Sequence, residues 1–166
     1  MKLKISEELN TEEKKINEYE FSLDDLGRVS HVEGDLQNNA GERDLSAQLD
    51  AGDEYRRETD DGGHFIANRF NGPGEEINLF AQDSNFNRGG YKSWENQWAR
   101  ELEQGNSVHV DIDPVYSGDS LRPNTIMAEV TITDKKGVQR TEYYSGCNEN
   151  MRSDEFYIDD ELLQDI

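Results

Sequence analysis

The chain has 166 residues, 33% of them hydrophobic, a mean hydropathy of -1.00 and a formal charge of -20. That length suits one domain with a lean core carried largely by seven Tyr, six Phe and two Trp. It excludes a membrane-spanning helix, since no apolar run nears the roughly 20 residues required. Ser6-Glu7-Glu8 interrupts any secretory signal at once, and the single Cys147 excludes an internal disulfide and a cysteine-built metal site.

In chain order, residues 1 to 18 read as a polar lead-in that can form a helix, with Ile5, Leu9 and Ile16 on one face and Asn10 or Thr11 as cap. Tyr19 to Leu23 and Arg28 to Val32 alternate around a turn at Asp24 to Gly27, which predicts a hairpin. Residues 34 to 53 read as loop with a short helical piece. His64-Phe65-Ile66-Ala67 fits a brief buried strand, Asn71-Gly72-Pro73-Gly74 a turn, and Ile77 to Phe80 extended chain. Tyr91, Trp94, Trp98 and Leu102 recur at helical spacing, so a helix is expected from Tyr91 to Gln104, after Gly89-Gly90 and before Gly105. Ser107 to Ile112, Thr125 to Thr133 and Gln139 to Tyr144 read as strands, the last two joined by a Lys135-Lys136-Gly137 turn. Beyond Cys147 the chain is acidic, with a short helix at Leu162-Leu163 or no regular structure. These elements divide the chain into a lead-in (1–18), a main domain (19–146) and an acidic tail (147–166). The fold class is α+β.

Charge is uneven. Residues 56 to 100 hold six basic side chains against seven acidic ones, a net of -1, which leaves 11 against 30 elsewhere, a net of -19. The same near-neutral segment holds Asp60-Asp61-Gly62-Gly63-His64, then Asn78, Gln82, Asn87 and Glu95. An imidazole can take a proton from water near neutral pH, and an amide oxygen is a hard ligand for a cation such as Mg²⁺ that keeps most of its waters. With a carboxylate behind them, these groups suit metal-assisted phosphodiester cleavage. Asn87 lies near the positive start of the helix. Eight helical residues place Glu95 about 80° around and about 12 Å along from a helical position 87, which favours a hold on metal-bound water over shared ligation. Asn78 and Gln82 can contact phosphate oxygens, orient Asn87 or brace the loop. Among Arg57, Arg69, Arg88 and Arg100, Arg69 is the favoured stabiliser of charge on phosphorus, then Arg88. Asp61 can orient His64 or cap the turn. His31 and His109, in alternating strand patterns, read as ordinary strand residues.

Asp61-Gly62-Gly63-His64, then Asn78-x-x-x-Gln82-x-x-x-x-Asn87 and Glu95, resemble the DNA/RNA non-specific endonucleases of the ββα-metal superfamily. Gly63 to Phe70, Gly72-Pro73-Gly74-Glu75, Ile77-Asn78-Leu79 and Asn87-Arg88-Gly89 are closer to the branch found at the C-termini of bacterial polymorphic toxins, including type VII-secreted ones. The resemblance runs from about Tyr19 to Tyr144. It implies a ββα-metal fold whose metal-site helix lies at about 90–104. It makes His64 the general base, Asn87 the direct ligand of Mg²⁺ (with Mn²⁺ as substitute), and Glu95 the carboxylate on the metal's waters. Arg69 then stabilises charge, while Asn78, Gln82, Arg88 and Arg57 face the substrate. It further implies sequence-independent hydrolysis of DNA, and of RNA as a second substrate, leaving 5′-phosphates. A secreted toxin acting in the target-cell cytoplasm, with a cognate immunity protein, follows from the same likeness. Three positions depart from the pattern: Gly62 where Arg is usual, Ala81 where Pro is common, and Arg100 five rather than four residues after Glu95. The competing readings are a catalytically silent binding module of this fold and an RNA-only nuclease leaving cyclic phosphate.

Overall fold

A computed structural model describes residues 12–40 and 51–149. Eight strands form two antiparallel sheets: β1 (Glu12–Ile16), β2 (Tyr19–Leu23), β3 (Val29–Asp35), β4 (Asp60–His64), β5 (Leu79–Asp83), β6 (Ser107–Val115), β7 (Thr125–Thr133) and β8 (Gln139–Cys147). The larger sheet has the order β1-β2-β3-β6-β7-β8, and β4 pairs with β5 alone. Among the described residues one α-helix, α1 (Tyr91–Glu103), follows β5 through a π-helical turn at Phe86–Gly90. The connection between β3 and β6 therefore carries a consecutive β4-β5-α1 unit, laid against one face of the six-stranded sheet.

The period-2 pattern explains that seating. On β6 Val108, Val110 and Ile112 are buried, and on β7 Ile126, Ala128, Val130 and Ile132, while the residues between them face outward. Tyr19, Phe21 and Val32 extend the apolar face across β2 and β3. Trp94 and Trp98 of α1 cover it, with Tyr144 of β8 at 5.2 and 5.7 Å from their rings. Phe65, Phe80, Phe86 and Tyr91 continue the aromatic chain into the β4–β5 pair.

The hairpin, the α1 helix and the β7–β8 turn form where the sequence predicts them, and β6 runs three residues further than expected. Three readings change, the first being that Ile77 and Asn78 belong to a 3-10 turn (Glu76–Asn78) and the extended chain starts at Leu79. Residues 12 to 16 form an exposed edge strand, not the end of a helix. Asn17 and Glu18 both take positive φ (54° and 71°), the two-residue reversal that returns a chain directly into an antiparallel partner. The strand near the histidine ends at His64 instead of starting there, with Gly62 and Gly63 in its interior. The rest of the expected lead-in, most of the 34–53 loop's short helix and the Leu162-Leu163 helix lie outside the described residues.

Candidate active site

Two buried devices fix β4 and β5. At the start of β4, Asp60 accepts two hydrogen bonds from Arg122, Nε to Oδ2 at 2.7 Å and Nη2 to Oδ1 at 2.8 Å, and one from the Arg57 backbone N–H. At the end of β5, the Asp83 N–H donates to Asn148 Oδ1, whose amide nitrogen donates to the Ala81 and Pro123 carbonyls. Asp83 in turn accepts from the Phe86 N–H, which caps the helical stretch that follows.

His64 closes β4 and is half-buried. The next residues are held from below. Asn78 is fully buried, accepts the Ile66 N–H, and donates to the Ile66 and Pro73 carbonyls. Its polar atoms are thus engaged by backbone, which gives it the bracing role and not the expected contact with substrate. Gln82 is also fully buried, and its amide atoms find no hydrogen-bond partner among the described residues. Leaving such a group unpaired costs about 1–3 kcal/mol. Solvent does not reach it, so it too lies beneath the surface that a substrate would touch.

Gln82 explains one glycine. A Cβ on Gly63 would overlap Gln82 Oε1 and come within 2.8 Å of Gln82 Cβ and Cδ. Gly63→Ala is therefore expected to lower stability by about 1–3 kcal/mol through overpacking. It should reduce cleavage as well, because the displaced backbone is that of His64. Urea unfolding beside an activity assay reads both effects.

The helix docks on this strand at two points. Asn87, in the π-helical turn, donates from Nδ2 to Asp61 Oδ2 at 2.9 Å. Arg88 grips the same carboxylate from Nε (3.0 Å) and Nη2 (2.9 Å). Further on, the Tyr91 hydroxyl donates to the Phe65 carbonyl at 2.7 Å. Asp61 thus holds the helix start, instead of only orienting His64 or capping a turn. A π-turn widens the helix locally and often lies at functional sites. Here it carries the proposed ligand.

Glu95 is half-buried on α1, and burial pushes its carboxyl up to about 7 against the pull of Arg69 and Lys92. Arg69 donates to Asn96 Oδ1 at 2.7 Å, which holds its charge beside Glu95. Asn96 is a positioning residue that spacing gave no means to find, since it looks like any helical polar side chain. Arg57 is ion-paired with Glu149, and Arg100 is exposed in the last turn of α1. The set around the helix start fits Mg²⁺. Asn87 commits its nitrogen to Asp61 and leaves the amide oxygen as a hard donor, and Glu95 is a carboxyl that a nearby dication would favour in its charged form.

A β-β-α unit on an antiparallel sheet, with a histidine ending the first strand and an asparagine opening the helix, defines the ββα-metal nuclease fold. A family model described as DNA/RNA non-specific endonuclease matches residues 9–134, and the chain belongs to that family. Members of that family are metal-dependent hydrolases acting on nucleic-acid ester bonds. The fold resembles a chain of the EndoG/EndoGI complex with TM-score 0.63, at 15% identity over 86% of this chain and 76% of that one. It also resembles the Sda1 nuclease with bound zinc ion, with TM-score 0.60 at 14% identity over 81% and 75%. Type VII secretion system protein EssD of Staphylococcus aureus (strain USA300) is 34% identical over 127 residues, 72% of this chain. The match covers 21% of that relative, so the chain spans about a fifth of its length. Among the described residues no helix is long and apolar enough to cross a membrane.

Proposed function

We propose that this chain is a Mg²⁺-dependent, sequence-non-specific endonuclease that hydrolyses DNA, with RNA as a second substrate, and serves as the nuclease module of a type VII-secreted interbacterial toxin. The catalytic unit spans 19–146, with β1 as an added edge strand. The observation that carries the reading is the seating of Asn87 on the strand that ends in His64, through Asp61. His64 accepts the proton of the attacking water, and the Arg69 guanidinium, steadied by Asn96, offsets charge building on the phosphate. Asn87 would hold the Mg²⁺ and Glu95 the waters on it, and the ion would supply neutralisation of the phosphate oxygens when bound. Arg88 and the exposed helix start meet the backbone of the nucleic acid, contacts that carry no sequence information. The EssD likeness supports the secretion route, and action in a target-cell cytoplasm is the destination proposed with it. The EndoG/EndoGI pairing is one instance of this fold held by an inhibitor, which supports a cognate immunity protein here.

The test is digestion of plasmid DNA and total RNA with Mg²⁺, Mn²⁺ or EDTA, beside Asn87→Ala. EDTA should abolish cleavage, and the variant should need at least about 10-fold more Mg²⁺. Ends should carry 5′-phosphate. RNA loss that survives EDTA and leaves cyclic phosphate would replace this reading with a ribonuclease. No cleavage by folded protein would replace it with a silent binding module.

A further inference from the structure

The sheet face turned away from α1 holds the other two histidines of the chain. On β3 His31, Glu33 and Asp35 alternate with buried Val32 and Gly34, and on β6 His109, Asp111 and Asp113 alternate with buried Val110 and Ile112. The register sets Glu33 opposite Asp111 and Asp35 opposite His109. One ligand atom each of His31, Glu33 and Asp111 lies within 4.8 Å of the others. His31 Nε2 is 3.2 Å from Asp111 Oδ1 and 3.6 Å from Glu33 Oε1. Ligands about 2.1 Å from a tetrahedral ion stand about 3.4 Å apart, a value that falls between these two separations. The 3.6 Å gap exceeds an ordinary N–H···O hydrogen bond.

The outer nitrogens supply a second, independent observation. His31 Nδ1 lies 2.6 Å from Asp113 Oδ1, and His109 Nδ1 lies 2.9 Å from Asp35 Oδ1. Each ring is thereby turned so that Nε2 points at the central carboxylates. His109 Nε2 sits 3.6 Å from the second oxygen of both Glu33 and Asp111. A carboxylate on Nδ1 that turns Nε2 toward the ion is the arrangement that orients metal-binding histidines; here His31 Nε2 is hydrogen-bonded to Asp111 Oδ1, the contact that an ion would replace. Glu33, Asp35, Asp111 and Asp113 set four carboxylates around two imidazoles, an excess of negative charge that a dication offsets.

We propose that His31 Nε2, Glu33 and Asp111 form a second metal site for a divalent transition ion of the zinc class, with His109 flanking the same carboxylates. The mixed imidazole and carboxylate donors select such an ion over Mg²⁺. The site is remote from His64 and Asn87, and it ties β3 to β6 at the middle of the sheet, so its effect is on stability.

The experiment titrates metal-free protein with Zn²⁺ by calorimetry and thermal melting, for wild type, His31→Gln, Asp111→Asn and Asn87→Ala. The three substituted side chains are half-buried and lie outside the apolar core, so circular dichroism should show each variant folded. Wild type should bind one equivalent at this site and melt higher with Zn²⁺. His31→Gln and Asp111→Asn should bind at least 10-fold more weakly and lose the melting shift, yet cleave DNA with Mg²⁺ within about twofold of wild type. Asn87→Ala should keep the shift. Binding unchanged in His31→Gln and Asp111→Asn overturns the proposal, as does absence of Zn²⁺ binding by wild type. Loss in Asn87→Ala alone would put the zinc at the helix start and equally overturn it.

Discussion

His64→Ala should lower the rate of DNA cleavage by about 10²–10⁴-fold while leaving the protein folded. That range is the usual contribution of a positioned general base. His64 ends β4 and is half-buried, outside the apolar cluster that holds the sheet to α1, so its removal opens little core. Two restraints on the residues that follow stay in the variant: Asn78 grips the Ile66 backbone, and Tyr91 grips the Phe65 carbonyl. Cleavage measured across Mg²⁺ concentrations separates the base from the metal. His64→Ala should reduce the maximal rate at an unchanged Mg²⁺ midpoint, whereas Asn87→Ala should move the midpoint. Added imidazole should restore part of the activity of His64→Ala, because a free base can enter the space left by the ring. A variant that cleaves as fast as wild type would remove His64 from the chemistry.

The sequence exposes those features whose cause is local. α1 is legible because Tyr91, Trp94 and Trp98 recur on one face and are the residues that bury it. β6 and β7 are legible because alternate side chains are apolar. β4 is not, because Asp60-Asp61-Gly62-Gly63 has no apolar side chain to alternate. Its burial depends on Arg122, 62 residues away, and on room that Gly63 makes for Gln82. β1 carries Glu12-Glu13-Lys14-Lys15, all exposed, and becomes a strand only because Asn17 and Glu18 turn it back onto β2. The same limit applies at the site. His64, Asn87 and Glu95 are visible through order and spacing, since they sit on one short β-β-α unit. Asp61 as the anchor of Asn87, Asn96 as the hold on Arg69, and Asn148 as the clamp on β5 all arise from tertiary approach. His31 and His109 look ordinary singly, and the register between β3 and β6 is what gathers four carboxylates around them.

Arg122→Met should cost about 3–5 kcal/mol of folding stability, with a fall in melting temperature on the order of 10 °C. Arg122 and Asp60 are 5% and 6% exposed, and the two hydrogen bonds between them are the main counterweight to burying the Asp60 charge. Removing the guanidinium leaves that carboxylate in the interior, a larger loss than the pair itself contributes. Arg122→Met with Asp60→Asn should therefore recover part of the stability, since no bare charge remains. The pH dependence has a definite sign. Burial raises the Asp60 pKa, but the Arg122 hydrogen bond, the Arg57 N–H and the charges of both arginines outweigh it and hold the carboxyl below its ordinary value. A depressed folded value means the contribution is complete above the unfolded carboxylate pKa and is lost as pH falls through the folded one. Wild type should lose this increment on acidification, and the double variant, having no carboxylate there, should not. Because β4 leads from Asp60 into His64, Arg122→Met should also slow cleavage at temperatures where the protein remains folded. Equal melting temperatures for wild type and Arg122→Met would show that the sheet holds β4 without the ion pair.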